Sequence, residues 1–199
     1  GWVVGDNGTI LRTTNGGQTW TKQTSGTTTD LHQVEFVDQN NGWVLGGLPP
    51  ASPIALKTTN GGATWTRVNL PPNLGGNPVG EGGYLDISVV DASAVWIGGR
   101  YGTIIRTLDG GATWERQDRL SAGGSLSVVN AVYGIHFRDR TNGCVVGLGY
   151  LRHHTTNGGA TWSPSALTGT SLGAGTTSYY SLTFLTPLEG WVRVNSVEG

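Results

Sequence analysis

The sequence predicts an all-β fold: a β-propeller of four-stranded antiparallel blades, each about 45–49 residues long. Three repeating motifs predict it. The stretch TTNGGQTW (Thr13 to Trp20) returns as TTNGGATW (Thr58 to Trp65), TLDGGATW (Thr107 to Trp114) and TTNGGATW (Thr155 to Trp162). A second motif keeps time with it: GWVVG from Gly1, GWVLG from Gly42, VWIGG from Val95, GCVVG from Gly143 and GWVRV from Gly190. A third precedes each later copy: HQVEFVD (32–38), LDISVVD (85–91), YGIHFRD (133–139) and YSLTFLT (180–186). Four short strands at this period suit a propeller blade, whereas a parallel β-helix has shorter rungs and an immunoglobulin sandwich does not repeat at this interval.

Each unit reads in order as strand A (the VEFVD segment), strand B (GWVVG), strand C (TILRT) and strand D, which begins at the Thr-Trp pair. Gly, Asn and Asp turns join the strands, as hairpins prefer. The chain is expected to be a single propeller domain or a fragment of one, 1–199, divided into a partial blade 1–30, blades 31–83, 84–131 and 132–178, and a partial blade 179–199. Closing a ring of four would leave a strand over, because Gly190 to Val194 duplicates the strand B already supplied by Gly1 to Gly5. The expectation is an arc of a longer propeller. The chain begins mid-pattern at Gly1 without an initiator Met, so a targeting segment is expected outside it.

Composition supports strands over helices: 34 Gly, 8 Trp and no Met in 199 residues. The net charge is −1 and the 12 Lys and Arg are scattered, which offers no grip on a phosphate backbone and makes nucleic acid an unexpected partner. The single Cys, Cys144, excludes an internal disulfide framework. No apolar run approaches the roughly 20 residues of a membrane helix, so no direct insertion is expected within this segment.

In the repeated turn, a short side chain with an acceptor oxygen stands at Asn15, Asn60, Asp109 and Asn157, able to bond backbone N–H groups across its own turn. Gly17, Gly62, Gly111 and Gly159 are expected to supply positive φ. Thr13, Thr58, Thr107 and Thr155 open the turn, and Trp20, Trp65, Trp114 and Trp162 fold apolar area back against the blade. A turn copied into every blade with only its acid exchanged for an amide reads as architecture; calcium at a carboxylate is conceivable only at Asp109.

The pattern Thr/Ser-x-Asp-x-Gly-x-Thr-Trp resembles the Asp-box of sialidases, xyloglucanases and sortilin-type receptors. The fuller stretch GWVVGDNGTILRTTNGGQTW (1–20) resembles the propeller family of the photosystem II stability and assembly factors, of the BNR-repeat type. That resemblance implies an about seven-bladed, noncatalytic propeller, exported to a lumen, periplasm or cell exterior, that holds a partner protein during assembly of a membrane complex. It implies no cofactor, and no cofactor motif appears in the chain. The insertions at 47–54 and 69–83 and the irregular fourth repeat depart from the family pattern.

Strand order puts the A–B and C–D turns at one end of the blades. The long segments Gly47 to Pro53, Asn69 to Gly83, Asp118 to Asn130 and Ser163 to Ser178 gather at the other, where recognition is expected. Three constellations follow. Arg12, Lys57, Arg106 and His154 hold one position in strand C, as a cationic arc for a partner or as blade-edge covers with aliphatic stems. Arg152-His153-His154 replaces apolar residues of other blades, as a polar partner contact or an exposed edge. The two histidines point to opposite faces and are poorly placed to share a metal. Glu35, Asp86 and His136 lie on strand A, the channel wall, as a converging acid/base group or as solvated lining.

Two functional readings fit these residues. One is a noncatalytic scaffold for protein partners, with Arg100 and Arg152 as further contacts. The other is an Asp-box glycoside hydrolase or glycan-binding propeller. A sialidase needs three converging arginines, and Arg100, Arg106 and Arg138 have no stated convergence. A xyloglucanase needs an aromatic cleft, whereas Trp2, Trp43, Trp96 and Trp191 read as buried packing of strand B.

Overall fold

A computed structural model describes residues 1–48, 51–71, 83–118, 131–149, 151–166, 177–184 and 189–196. The long-connection stretches 72–82, 119–130 and 167–176, with 49–50 of the first insertion, lie outside the described residues. The predicted recognition loops therefore lie largely outside them too.

Seventeen strands are described. The first sheet holds β1 (Trp2–Gly5), β2 (Thr9–Arg12) and β3 (Thr21–Gln23). The second runs β4 (Leu31–Phe36), β5 (Gly42–Gly46), β6 (Ile54–Thr58), β7 (Thr66–Val68). The third runs β8 (Tyr84–Val89), β9 (Val95–Gly99), β10 (Ile104–Thr107), β11 (Glu115–Arg116). The fourth runs β12 (Val132–Phe137), β13 (Gly143–Gly147), β14 (Arg152–Thr155), β15 (Ser163–Pro164), and the fifth pairs β16 (Thr177–Phe184) with β17 (Gly190–Ser196). All pairings are antiparallel meanders, and successive sheets pack side by side in chain order. This is an arc of propeller blades, with strand A of each blade innermost.

The alternation of each strand sends one set of side chains to the preceding sheet and the other to the next. In β5, Val44 packs with Ile10 of the first sheet, while Trp43 and Leu45 pack with Ile87 and Ile97 of the third. Trp96 and Ile104 of the third sheet pack with Ile135, Phe137 and Val145 of the fourth. Three cores thus fill three seams, and each sheet is held by its neighbours as in other repeat architectures. Rings stack across the seams: Trp2 on Phe36 at 3.5 Å and Trp96 on Phe137 at 4.0 Å between centroids.

Three details differ from the sequence expectation. Trp43 and Trp96 are fully buried, but Trp191 at the same register position is 59% exposed, because no described residue packs on that face of β17. Trp20 is 42% exposed while Trp162 is fully buried, so the turn tryptophans are not equivalent. All four A strands also carry a β-bulge at the same place, between residues 31 and 33, 84 and 86, 132 and 134, and 179 and 181. An extra residue bends and twists its strand. Nothing in a polar-apolar pattern announces it.

Candidate functional site

The repeated turn is a closed hydrogen-bond unit. The hydroxyls of Thr13, Thr58, Thr107 and Thr155 accept the N–H of Gly17, Gly62, Gly111 and Gly159 at 2.8–2.9 Å. Each hydroxyl donates to Oδ1 of Asn15, Asn60, Asp109 or Asn157, which accepts the N–H of Thr19, Thr64, Thr113 or Thr161. The second side-chain atom explains why amide and acid interchange. Asn15 Nδ2 donates to Thr19 Oγ1 at 2.9 Å, whereas the Thr113 hydroxyl turns round and donates to Asp109 Oδ2 at 2.6 Å. Both Asp109 oxygens are engaged, and these bonds, the Thr113 hydroxyl foremost, pull its carboxyl down to about 2. The four glycines have φ of +83° to +94°, and the glycine before each is also left-handed.

A second turn supports the first. Asp38, Asp91 and Asp139, which the sequence places at the end of strand A without a role, cap the A–B turn by accepting two successive backbone N–H groups. Within each blade the two turns are tied together, with Gly61 N–H on Asn40 O, Gly110 on Ser93 and Gly158 on Thr141, at 2.8–2.9 Å. They therefore share one end of the blades, as strand order requires. Arg140 reaches across a seam to Asp91, with Nε 2.8 Å from Oδ2, and holds that carboxyl well below the usual range.

Two of the strand C cations, Lys57 and Arg106, meet the following blade. Lys57 Nζ donates to Gly110 O at 3.2 Å and sits 5.4 Å from the Trp43 ring centre. Arg106 Nη1 donates to Gly158 O at 3.1 Å, and its Nη2 pairs with Glu115 at 2.6 Å. Arg12 lies 5.3 Å from the centre of the Trp2 ring. His154 is exposed, opposite Cys144, with Nδ1 3.3 Å from the Ser165 hydroxyl. These four residues stand at equivalent places but in separate seams, so they do not converge on one point.

On the inner strands, side chains rivet one blade to the next. Glu35 Oε2 accepts the Val89 N–H at 3.1 Å, and Ser88 Oγ at the equivalent position accepts the Phe137 N–H at 2.9 Å. Asp86 accepts the Gln33 amide at 2.7 Å and the Ile135 N–H at 2.9 Å. An innermost strand leaves one row of N–H groups unpaired by its own sheet, and these bonds satisfy part of that row. Burial pushes Glu35 up to about 8, assisted by the Asp86 charge, and pushes Asp86 up to about 6. His136 instead stacks on Phe184 at 4.3 Å, and burial lowers its basicity.

The fourth repeat is the most altered. Cys144 stands where Trp43 and Trp96 stand in other blades, beside a cavity of about 120 Å³ lined by His136, Arg138 and Phe184. Burial raises its thiol to about 11. Arg152 Nε donates to Ser165 O at 3.0 Å, and His153, opposite Val145, shares the face toward the third sheet. Burial is the main cause of the lowered basicity of His153. Arg100 is exposed in the B–C turn, beside Tyr101 at φ +58°.

Residues 1–83 match the family model described as photosynthesis system II assembly factor YCF48. Over these residues the chain is similar to the photosystem II assembly factors, and its fold is a β-propeller. A 47-residue stretch is 43% identical to the chloroplastic photosystem II stability/assembly factor HCF136 of Oryza sativa subsp. japonica; it spans 23% of this chain and only 11% of the rice protein. The structure of YCF48 bound to D1 peptide superposes on 98% of the propeller and 85% of its own chain, at 18% identity and a TM-score of 0.50. The GH74 xyloglucanase of Xanthomonas campestris superposes on 92% of the propeller and 30% of its own chain, at 17% identity and a TM-score of 0.62. These two structures share the fold.

Proposed function

We propose that this chain is a noncatalytic scaffold, a rigid exported propeller that docks a protein partner belonging to a membrane or cell-surface complex. The similarity of residues 1–83 to the assembly-factor family carries the reading. YCF48 is seen with a D1 peptide, and by analogy the partner here presents a peptide segment. The inner carboxyls support a structural use, because Glu35 and Asp86 each accept a main-chain N–H of the adjoining blade. The end of the blades that carries the long connections is the docking face in this reading. Arg100, exposed there, is the contact to test first, with Arg152 and His153 behind it.

Crosslinking the native protein and identifying by mass spectrometry what accompanies it tests the proposal. A stoichiometric membrane or surface protein, lost on Arg100→Glu without a fall in melting temperature, is the expected result. A propeller recovered alone that hydrolyses a polysaccharide would replace the scaffold with the Asp-box glycosidase.

A further inference from the structure

The inner rivets differ in one respect that capping does not explain. Ser88 satisfies the Phe137 N–H with a neutral hydroxyl. Glu35 does the same work one seam earlier with a carboxyl, on the strand beside a second half-buried acid, Asp86. The elements packed against this pair supply no counter-ion among the described residues. The neighbouring strands β1, β5 and β9 carry no titratable side chain at all. From β4 itself comes His32, whose basicity is lowered by burial and whose Nε2 has no hydrogen-bond partner among the described residues. From β8 comes Tyr84, and from β12 come Tyr133 and His136. Neither acid forms an ion pair within the described residues, and only Gln33 and main-chain N–H groups meet them.

Two like charges in a half-buried seam with no cation among the described residues repel, and burial strips part of their hydration. We propose that the seam between the second and third sheets is a proton-operated joint, closed when Glu35 carries a proton and loosened when its loss sets two like charges side by side. The raised values of Glu35 and Asp86 agree with that geometry. The sign follows from linkage: the closed seam holds the proton more tightly than an open, hydrated one. Closure is therefore complete below the ordinary glutamate range near 4.5 and is lost as pH rises toward about 8.

Amide hydrogen exchange at Val89, whose N–H crosses this seam to Glu35, corrected for intrinsic rate, reads the joint in the intact chain. Protection should fall by up to about tenfold per pH unit between about 5 and 8, the slope of one proton lost per opening, while Phe137 under Ser88 stays flatter. Glu35→Gln should keep the Val89 bond and flatten the slope. An unchanged slope in Glu35→Gln, or flat protection in the natural sequence, overturns the joint. If that variant does not fold, carbon-13 NMR of the Glu35 carboxyl in the natural protein decides. Titration near 8 supports the proposal, and titration in the ordinary glutamate range ends it. Asp86→Asn should move that midpoint downward.

Discussion

Arg106 and Trp96, opposite one another on β10 and β9, both donate to the carbonyl of Gly158 in the next blade, at 3.1 and 3.0 Å. The repeated turn is therefore both a hairpin of its own blade and an acceptor for the blade before it. Lys57 on Gly110 O repeats the relation one seam earlier.

The indole therefore has two separable roles. Trp96→Phe keeps a ring over Phe137 but deletes the N–H, and should cost about 1 kcal/mol, the net worth of one hydrogen bond, plus a small packing loss. Trp96→Ala removes the fully buried ring and should cost about 3–5 kcal/mol. Trp20→Ala, at a turn tryptophan left 42% exposed, should cost far less. Urea denaturation of the three variants checks the order; equal losses for Trp20→Ala and Trp96→Ala would show that burial does not set the scale.

The turn chemistry predicts an asymmetric tolerance. Asn60→Asp should lie within about 0.5 kcal/mol of the natural protein, because Thr64 can rotate its hydroxyl to donate as Thr113 does to Asp109. Thr58→Val keeps shape but strips the acceptor from the buried Gly62 N–H, and should cost about 1–3 kcal/mol. Thermal denaturation of the pair decides; a costly Asn60→Asp with a harmless Thr58→Val would reverse the account.

Two glycines separate backbone strain from crowding. Gly16 has φ +70° with open space where a Cβ would go, so Gly16→Ala should cost about 1 kcal/mol of left-handed strain alone. Gly111 has φ +94°, and a Cβ there would lie 2.6 Å from Val68 Cγ1 and 2.9 Å from Trp43 Cη2. Gly111→Ala should cost a further 1–3 kcal/mol or so, because the seam is already packed. Melting temperatures that fall equally in both would mean the seam can yield at Val68.

The sequence made the blade readable because each blade repeats the same local problem, and repeated solutions show as repeated letters. Asn15, Gly17 and Trp20 could be matched to their turn for that reason, and Trp43 and Trp96 to the buried seam. Contacts between blades were less legible. Arg106 announces a cation, but its acceptor is a main-chain oxygen of Gly158, and main-chain atoms leave no trace in the letters. Glu35 and Asp86 show as channel polar groups, whereas their N–H donors on Val89 and Ile135 come from backbone placement alone. The spelling of the A–B turn, with Asp38, Asp91 and Asp139 at a fixed distance before strand B, held a capping signal. Comparing those aspartates across the repeats would have found it.

The same aspartates set the acid limit of stability. Asn41 chiefly lowers Asp38, Arg140 chiefly lowers Asp91, Thr141 chiefly lowers Asp139, and Thr113 lowers Asp109 to about 2. For each, the folded chain binds its proton more weakly than the unfolded chain does. The stabilisation is therefore present above the ordinary aspartate value near 3.8 and is lost as pH falls through the depressed one. Glu35 has the opposite sign, and its contribution is already complete below about 4.5, so it leaves this range clear. The melting temperature should hold nearly level from pH 5 to 4 and then fall steadily toward pH 2. Asp91→Asn should give a shallower fall, since one of the carboxylates that must be protonated is gone and Arg140 has already lost its partner. A melting temperature unchanged from pH 4 to 2, or an equally steep fall in Asp91→Asn, would show that the turn aspartates do not hold the arc together in acid.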